Sequence, residues 1–317
     1  MPLHHSSGRW RLGLALSLLT VLLWGVLPVA LMVTLQVLDV YTVTWFRFLV
    51  SFGLLALYLA SRKQLPNLEK LRSPGLWKLL AIATVFLAIN YLLFLQGLAQ
   101  TSPANAQVLI QLAPVSMGLG ALWVFKERYS LRQWTGLALL TLGFSLFFHE
   151  QLQALVTSSA QYLGGSGLLV LAAIAWAVYA LAQKQLLQTL PSATIMMAIY
   201  GGATLLFTPT AAPQKLLSLD TFHWIALLFC ALNTLIAYGA FAEALDHWEA
   251  SRVSAVLSLT PVVTIGTMLG LPVFWPTLIA PEQLTILGIV GAIFVVSGSF
   301  AIALGQRPKT DPSAVKS

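Results

Sequence analysis

Two charged side chains, Arg47 and Glu243, lie inside long apolar runs of this 317-residue sequence. A charge near the centre of a bilayer costs at least ~2.5–3.5 kcal/mol on insertion scales, so such a group usually faces a cavity or a partner. Arg47 can hold a carboxylate, or it can snorkel to the membrane surface or pair with backbone carbonyls. Glu243 can load and release a proton, or it can belong to a hydrated acidic segment with Asp246 and Glu249.

Three prolines, Pro28, Pro114 and Pro261, lie within apolar runs. Each lacks an N–H and frees the carbonyl oxygen four residues earlier. Freed backbone groups are tolerated in a membrane where they line a cavity, although a kink needed only for packing has the same sequence signature. We predict helix breaks at a cavity at these three positions.

Amphipathic side chains near these positions are candidates for contact with a bound molecule. Aromatic walls suit an apolar or aromatic compound with a polar end, but such side chains are more often packed in a core or at the membrane surface. Gln111 and Ser258 each lie three residues before a proline. The predicted binding residues are Trp24, Arg47, Tyr91, Gln111, Trp176, Tyr179, Tyr238 and Ser258.

Other polar and small residues in the apolar runs are expected to join helices to one another. Asn90, Gln107, Asn233 and Thr264 can form hydrogen bonds between helices, and the GxxxG spacing at 266–270 predicts close helix contact.

Catalytic and metal-binding patterns are poor. His149-Glu150 begins an HExxH-like run, but Gln153 stands where the second metal ligand should be. Residues 164–168 approach the G-x-S-x-G motif, but Leu168 replaces its last glycine. No phosphate-binding or dinucleotide-binding loop is present in the sequence. We therefore predict no catalytic residue, no metal and no cofactor, and we expect that the protein is not an enzyme.

The composition places these residues in a membrane. Hydrophobic residues make up 58% of the chain and charged residues only 9%, against roughly 25% charged in soluble domains, which excludes a soluble enzyme. About 20 apolar residues are needed to cross a bilayer core. Ten runs meet this requirement: 12–34, 41–60, 76–97, 104–125, 133–149, 164–183, 192–210, 222–244, 253–274 and 284–305.

The basic residues predict the orientation of these spans. Of the 17 Lys and Arg residues, all except Arg47 and Lys215 are predicted to lie on the same side of the membrane as the N-terminus, or at the end of a span on that side. Because Lys and Arg in short loops stay cytoplasmic, the tails 1–11 and 306–317 are both predicted to be cytoplasmic. The net charge of +7 follows from this loop asymmetry, so no nucleic-acid partner is expected. The short loops favour a bacterial cytoplasmic (inner) membrane, with an organelle membrane left open.

The first half of the sequence recurs in the second half. Tyr91, Phe94, Leu98 and Pro114 recur 147 residues later, Glu127, Gly136 and Gly143 recur 155 residues later, and Trp24 recurs 152 residues later as Trp176. Five spans per copy is an odd number, so the second copy must be inverted. We predict an all-α integral membrane protein with ten transmembrane helices in two inverted five-helix repeats, 12–149 and 164–305. Inverted repeats are typical of secondary transporters.

Several motifs resemble a known family. They are Leu23-Trp24-Gly25, Trp45-Phe46-Arg47-Phe48, Gln111-Leu112-Ala113-Pro114, and Lys126-Glu127-Arg128 followed by Gly136 and Gly143. This pattern resembles the EamA repeat of the drug/metabolite transporter (DMT) superfamily. The resemblance implies helices 1–4 and 6–9 around a central cavity, helices 5 and 10 outside, and alternating access. The second copy departs from it, with no equivalent of Arg47 and eight extra residues around 271–281.

These observations predict a secondary transporter of a small metabolite, an amino acid or an amphipathic compound. The resemblance implies efflux. The alternatives are an importer of a carboxylate or sugar derivative anchored by Arg47, or a membrane protein without transport activity. The expected partners are the lipid bilayer and a small-molecule substrate, with H⁺ as a candidate coupling ion; the oligomeric state is left open.

Overall fold

The computed structural model describes residues 7–65, 74–101, 103–126, 129–147, 149, 160–274 and 285–303. All regular secondary structure in these ranges is helical. Six helical segments are long and apolar enough to cross a membrane, and three shorter apolar helices accompany them. The chain is therefore a multi-pass membrane protein, and the secondary structure of its described residues is entirely helical.

Twelve α-helices occur in the described ranges. They are α1 (Trp10–Leu35), α2 (Val40–Ser61), α3 (Pro74–Gln100), α4 (Pro103–Ile110), α5 (Leu112–Val124), α6 (Leu131–Phe147), α7 (Ala160–Leu186), α8 (Ser192–Phe207), α9 (Thr221–His247), α10 (Ala250–Leu257), α11 (Thr260–Phe274) and α12 (Ile286–Ala303). A 3₁₀ turn at Pro213–Ser218 precedes α9.

Two of the predicted spans are each divided into two helices. Only Gln111 separates α4 from α5, and only Ser258 and Leu259 separate α10 from α11. Pro114 and Pro261 are the third and second residues of the helices that follow. A proline is well tolerated in the first turn because the N–H groups there have no partner within the helix.

The predicted break at Pro28 is absent, because α1 continues through this residue. A proline removes one helical hydrogen bond, and the remaining bonds of a 26-residue helix keep it continuous. The carbonyl of Trp24 still loses its usual partner.

The helices pack in pairs that cross the two halves of the sequence. The pairs α3 with α7, α1 with α9, α6 with α12 and α2 with α8 all make extensive contacts. By contrast, the short helices on either side of the two breaks pack unequally. Helix α5 packs against α10, whereas α4 and α11 barely touch.

The closest approach of backbones involves glycines in α6 and α12. A Cβ atom added at Gly298 would lie 2.6 Å from the carbonyl oxygen of Gly136, and one added at Gly143 would lie 2.6 Å from the nitrogen of Val295. The prediction of close contact for 266–270 is wrong within the described residues, since nothing there lies within 4 Å of a Cβ built at either glycine.

The bundle has two distinct ends, which we name after their lysines. At the Lys184 end, Nζ of Lys184 donates hydrogen bonds to the carbonyls of Leu245 and Trp248, over 3.2 Å and 3.1 Å. At the Lys215 end, Nζ of Lys215 lies 3.0 Å from Oδ2 of Asp39. Both lysines therefore tie together segments that are distant in sequence.

Candidate functional site

A cavity lies between the two halves of the bundle. Its volume is about 100 Å³, and since one water needs roughly 10–15 Å³ on this measure, it has room for several waters or a small organic group. Its α1 residues belong to the second half of that helix, which places the cavity toward the Lys215 end. The lining residues are Trp24, Leu27, Pro28, Leu31, Arg47, Asn90, Tyr91, Phe94, Leu95, Gln107, Ile110, Gln111, Ala113, Trp176, Tyr238, Leu257 and Thr260.

Aromatic side chains from four helices form one wall of the cavity. The ring of Trp24 lies 4.9 Å from that of Tyr238 and 5.6 Å from that of Trp176, both approached edge to face. Tyr91 lies 5.6 Å from Tyr238 and extends this wall toward α2. Four of the predicted binding residues therefore meet at a single place.

Arg47 is buried, with 2% of its surface exposed, and it lines the cavity. Its Nε donates a hydrogen bond of 2.9 Å to Oγ1 of Thr234, and its guanidinium carbon lies 4.5 Å from the centre of the Tyr91 ring. Within the described residues, no carboxylate pairs with Arg47, and its two Nη groups donate no hydrogen bond. The snorkelling alternative is therefore wrong, and the free donors can bind an anion in the cavity.

Gln111, at the break between α4 and α5, also lines the cavity. Gln107 lies one turn earlier on the same face, and its Nε2 donates to Oγ1 of Thr264 over 2.9 Å. Among the described residues, Oε1 of Gln107 and Oε1 of Gln111 have no hydrogen-bond donor. Two residues of the cavity lining therefore carry buried acceptor atoms, and a third carries a cation.

Two predicted binding residues do not line the cavity. Tyr179 is fully buried behind the aromatic wall, with its ring 6.0 Å from that of Tyr238, and its hydroxyl approaches the sulfur of Met196. Ser258 is buried, and its hydroxyl donates within the helix to the carbonyl of Ser254, over 3.1 Å. Tyr179 can support the wall from behind, whereas Ser258 has no contact with the cavity.

Glu243 lies at the Lys184 end, away from the cavity. Its Oε1 accepts a hydrogen bond from the hydroxyl of Ser192, and its Oε2 lies 3.8 Å from Nε2 of His247. The side chain is 47% exposed. This exposure favours the hydrated acidic segment over a carboxylate enclosed in the membrane.

Sequence reasoning missed several residues of the cavity, and two of them had a detectable signal. Gln107 precedes Gln111 by four residues, which places both on one helix face. Thr260 follows the break before Pro261, at the point where α11 begins. Asn90 was expected to join helices, and its Nδ2 does donate to the carbonyl of Ala172, over 2.9 Å. The apolar lining residues carry no signal that separates them from ordinary core residues.

The ion pair at the Lys215 end links the start of α2 to the turn before α9. Partial burial acts to raise the pKa of Asp39, but hydrogen bonds from the Thr42 N–H, the Lys215 ammonium and the Thr42 hydroxyl together hold it below its usual range. The resulting stabilisation is complete above the ordinary pKa of an aspartate and is lost only as the pH falls through the lowered value. This link therefore persists at physiological pH.

Known proteins resemble the chain over nearly its whole length. It is 38% identical over 296 residues to the uncharacterized inner membrane transporter YhbE of Escherichia coli (strain K12), covering 93% of this chain and 92% of that protein. It is 27% identical over 310 residues to a probable amino-acid metabolite efflux pump of Salmonella typhimurium, covering 92% and 95% of the two chains. A protein of known crystal structure shares the fold, with a TM-score of 0.69 at 17% identity and coverage of 92% and 97%.

The family comparison divides the chain into two segments, and both of them contribute residues to the cavity. The model of the EamA-like transporter family matches twice, at residues 11–148 and 163–304, and the cavity residues come from both matched segments. The chain belongs to the EamA-like transporter family.

Proposed function

We propose that this protein is a secondary transporter that exports a small carboxylate-bearing metabolite, such as an amino acid or a related amphipathic compound, across the bacterial inner membrane by alternating access. The observation that carries this proposal is Arg47, a buried cation that lines the cavity and has no carboxylate partner among the described residues. An unpaired cation in a membrane is expensive, so a bound anion is its natural partner.

The helix packing supports two inverted five-helix repeats. With an offset of about 150 residues, α1 corresponds to α7 and α3 to α9. The pairs α1 with α9 and α3 with α7 then become equivalent, and both pack extensively. The helix pairs α6 with α12 and α2 with α8 relate corresponding helices to each other. This pattern is expected of a pseudo-two-fold arrangement.

The unequal packing at the breaks supports alternating access. Under the same correspondence, α5 with α10 and α4 with α11 are equivalent contacts at opposite ends. The first contact is formed and the second is nearly absent. The structure then represents one access state, closed at the Lys184 end, and exchange of the two contacts would give the other state.

The name of one relative supports a location in the inner membrane, and the name of another supports export as the direction of transport. The Escherichia coli relative is named an uncharacterized inner membrane transporter, and the Salmonella relative is named a probable amino-acid metabolite efflux pump. The distribution of basic residues among the loops predicts that the Lys184 end is cytoplasmic. The cavity at the Lys215 end would then face the release side of an exporter.

Transport in inside-out vesicles tests the proposal, because uptake there corresponds to export. A panel of radiolabelled amino acids and related carboxylates should contain compounds that the wild-type protein accumulates. Arg47→Met should reduce that uptake at least about tenfold, as expected for losing a charge-assisted contact. Arg62→Met is the matched control, since Arg62 also lies over a tyrosine ring, 5.8 Å from the centre of Tyr58, but at the exposed end of α2. Equal uptake by both variants would contradict the carboxylate anchor.

Coupling to protons is part of the same proposal. An uncoupler that collapses the proton gradient should abolish accumulation in these vesicles. Glu243→Gln should do the same if this carboxylate carries the proton, and it should have no effect on coupling if Glu243 serves only the hydrogen bond to Ser192.

The inverted repeat can be tested independently of transport. Cys230 is the only cysteine, so its replacement gives a background for labelling of single cysteines. Cysteines at Lys126 and Pro276, in corresponding loops of the two repeats, should react from opposite sides of the membrane. Labelling of both from one side would exclude the inverted arrangement.

A further inference from the structure

The amide of Gln107 is oriented so that its oxygen points away from its protein partner. The hydroxyl of Thr264 donates to the carbonyl of Gly25, over 2.7 Å. That hydroxyl can therefore only accept from Gln107, which fixes Nε2 of Gln107 toward Thr264, at 2.9 Å, and leaves Oε1 as a free acceptor.

A second amide oxygen without a donor is Oε1 of Gln111, a residue that lies on the same helix face and lines the same cavity. Both glutamines have only 4% of their surface exposed, and neither Oε1 has a donor among the described residues. A buried acceptor without a donor costs about 1–3 kcal/mol. Two such acceptors at one cavity favour a ligand that donates hydrogen bonds.

Two further residues of the lining have backbone carbonyls without their usual helical partner. Pro28 and Pro114 lack N–H groups, so the carbonyls of Trp24 and Ile110 lose their usual helical partners. Trp24 and Ile110 both line the cavity. The aromatic wall formed by Trp24, Trp176 and Tyr238 also attracts cations through its ring faces.

The polar residues of the cavity thus fall into two groups, one that offers hydrogen-bond donors and one that offers acceptors. Among the described lining residues, Arg47 alone is charged, and it offers donors to an anion. Gln107 and Gln111 offer acceptors, and the remaining surface is mostly apolar or aromatic. We propose that Gln107 and Gln111 form an ammonium subsite, so that the cargo is a zwitterion with the head group of an α-amino acid and an apolar side chain. This inference rests on the proposed function, in which Arg47 holds the carboxylate.

The test compares three compounds with one carbon skeleton. Leucine carries both charged groups, 4-methylpentanoate lacks the ammonium, and 3-methylbutylamine lacks the carboxylate. Their dissociation constants are measured with the purified full-length protein in detergent by titration calorimetry. The variants are Gln111→Met, which removes the acceptor at similar length, Gln111→Glu, which keeps acceptors and adds a negative charge, and Arg47→Met.

We expect the wild-type protein to bind leucine more tightly than either analogue. Gln111→Met should weaken leucine binding about 10- to 100-fold, as expected for a hydrogen bond to a charged group, and should change the affinity for 4-methylpentanoate by less than about twofold. Gln111→Glu should retain leucine and improve the binding of 3-methylbutylamine. A purely structural role of Gln111 would change the affinities for leucine and 4-methylpentanoate in parallel.

The outcomes separate this inference from the proposed function. If Arg47→Met weakens both carboxylates while Gln111→Met affects them equally or not at all, the ammonium subsite is wrong and the carboxylate anchor stands. If Arg47→Met affects neither carboxylate, the anchor itself fails. If leucine does not bind, or if binding of 4-methylpentanoate requires Na⁺ that choline cannot replace, the acceptors do not serve a substrate ammonium.

Discussion

Arg47 is held by two neighbours that bind it in different ways. Thr234 accepts a hydrogen bond from its Nε, and the ring of Tyr91 lies under the guanidinium. The Tyr91 hydroxyl also donates to Oγ1 of Thr234, over 3.4 Å. Among the described residues, the Thr234 hydroxyl in α9 is the hydrogen-bond acceptor that orients the cation, and the Tyr91 ring supports it.

Replacing Thr234 with valine keeps the shape of the side chain and removes this acceptor. We expect Thr234→Val to leave Nε of Arg47 buried without a partner, which destabilises the protein by about 1–3 kcal/mol and weakens binding of carboxylates. Thermal unfolding in detergent and substrate titration measure the two effects.

Thr204→Val is the control for this substitution. Thr204 is also buried, but its hydroxyl donates only to the carbonyl of Tyr200 in its own helix. Equal losses of stability and affinity in the two variants would show that Thr234 does not orient Arg47.

At the scale of elements, repeated glycines determine how α6 and α12 meet. Gly136 and Gly143 in α6 face Gly298 and Gly291 in α12 so closely that an added Cβ would collide with backbone atoms. Small residues allow this close approach of membrane helices, whose association depends on packing. The GxxxG spacing at 266–270 lacks such a contact within the described residues, because spacing alone does not reveal which face of a helix meets a neighbour.

A pair of Gly→Ala variants tests this packing. Gly298→Ala would place a Cβ 2.6 Å from backbone atoms of Gly136 and Leu140, so we expect destabilisation of about 1–3 kcal/mol from overpacking. Gly270→Ala, with open space around its Cβ in the described structure, should be neutral or slightly stabilising because alanine favours the helix. The midpoints of thermal unfolding in detergent give the comparison, and a stable Gly298→Ala variant would contradict the close contact.

At the scale of the molecule, the Lys184 end is held together by a lysine without an equivalent in the other repeat. The offset of 152 residues between Trp24 and Trp176 assigns Met32 to the position of Lys184. Lys184 has 1% of its surface exposed, donates to two carbonyls near the end of α9, and lies 5.8 Å from the centre of the Phe125 ring. We infer that this lysine favours the state closed at its end.

Lys184→Met should shift the molecule toward opening at the Lys184 end. The reporter is Ser254→Cys in a protein without Cys230, since Ser254 has 4% of its surface exposed and its Oγ would lie 3.0 Å from a Cβ at Gly118 on α5. We expect labelling by a membrane-impermeant maleimide from that side to become several-fold faster. Lys78→Met, at an exposed lysine, is the control. Unchanged labelling in Lys184→Met would exclude this role.

The sequence allowed much of this architecture to be predicted, but the limits are physical. Apolar runs locate helices reliably because a bilayer requires them, and charge or aromatic character inside such runs located Arg47, Trp24, Tyr91 and Tyr238 at one cavity. The correspondence between the repeats was a less reliable guide for Ser258, which is equivalent to Gln111 but does not line the cavity. Equivalent residues have different surroundings because α5 packs against α10, whereas α4 and α11 barely touch.

The presence of this guanidinium in the first repeat alone also has a consequence for the kinetics of the proposed transport cycle. Since α2 and α8 begin 152 residues apart, the position of Arg47 is taken in the second repeat by Ile199. In the proposed inverted repeat, the carboxylate anchor is then displaced from the pseudo-symmetry axis, so a molecule held by both its carboxylate and its ammonium presents different ends to the two faces of the membrane. Half-saturating concentrations should therefore differ between the two faces. Microscopic reversibility relates only the ratio of maximal velocity to half-saturating concentration in one direction to the same ratio in the other direction.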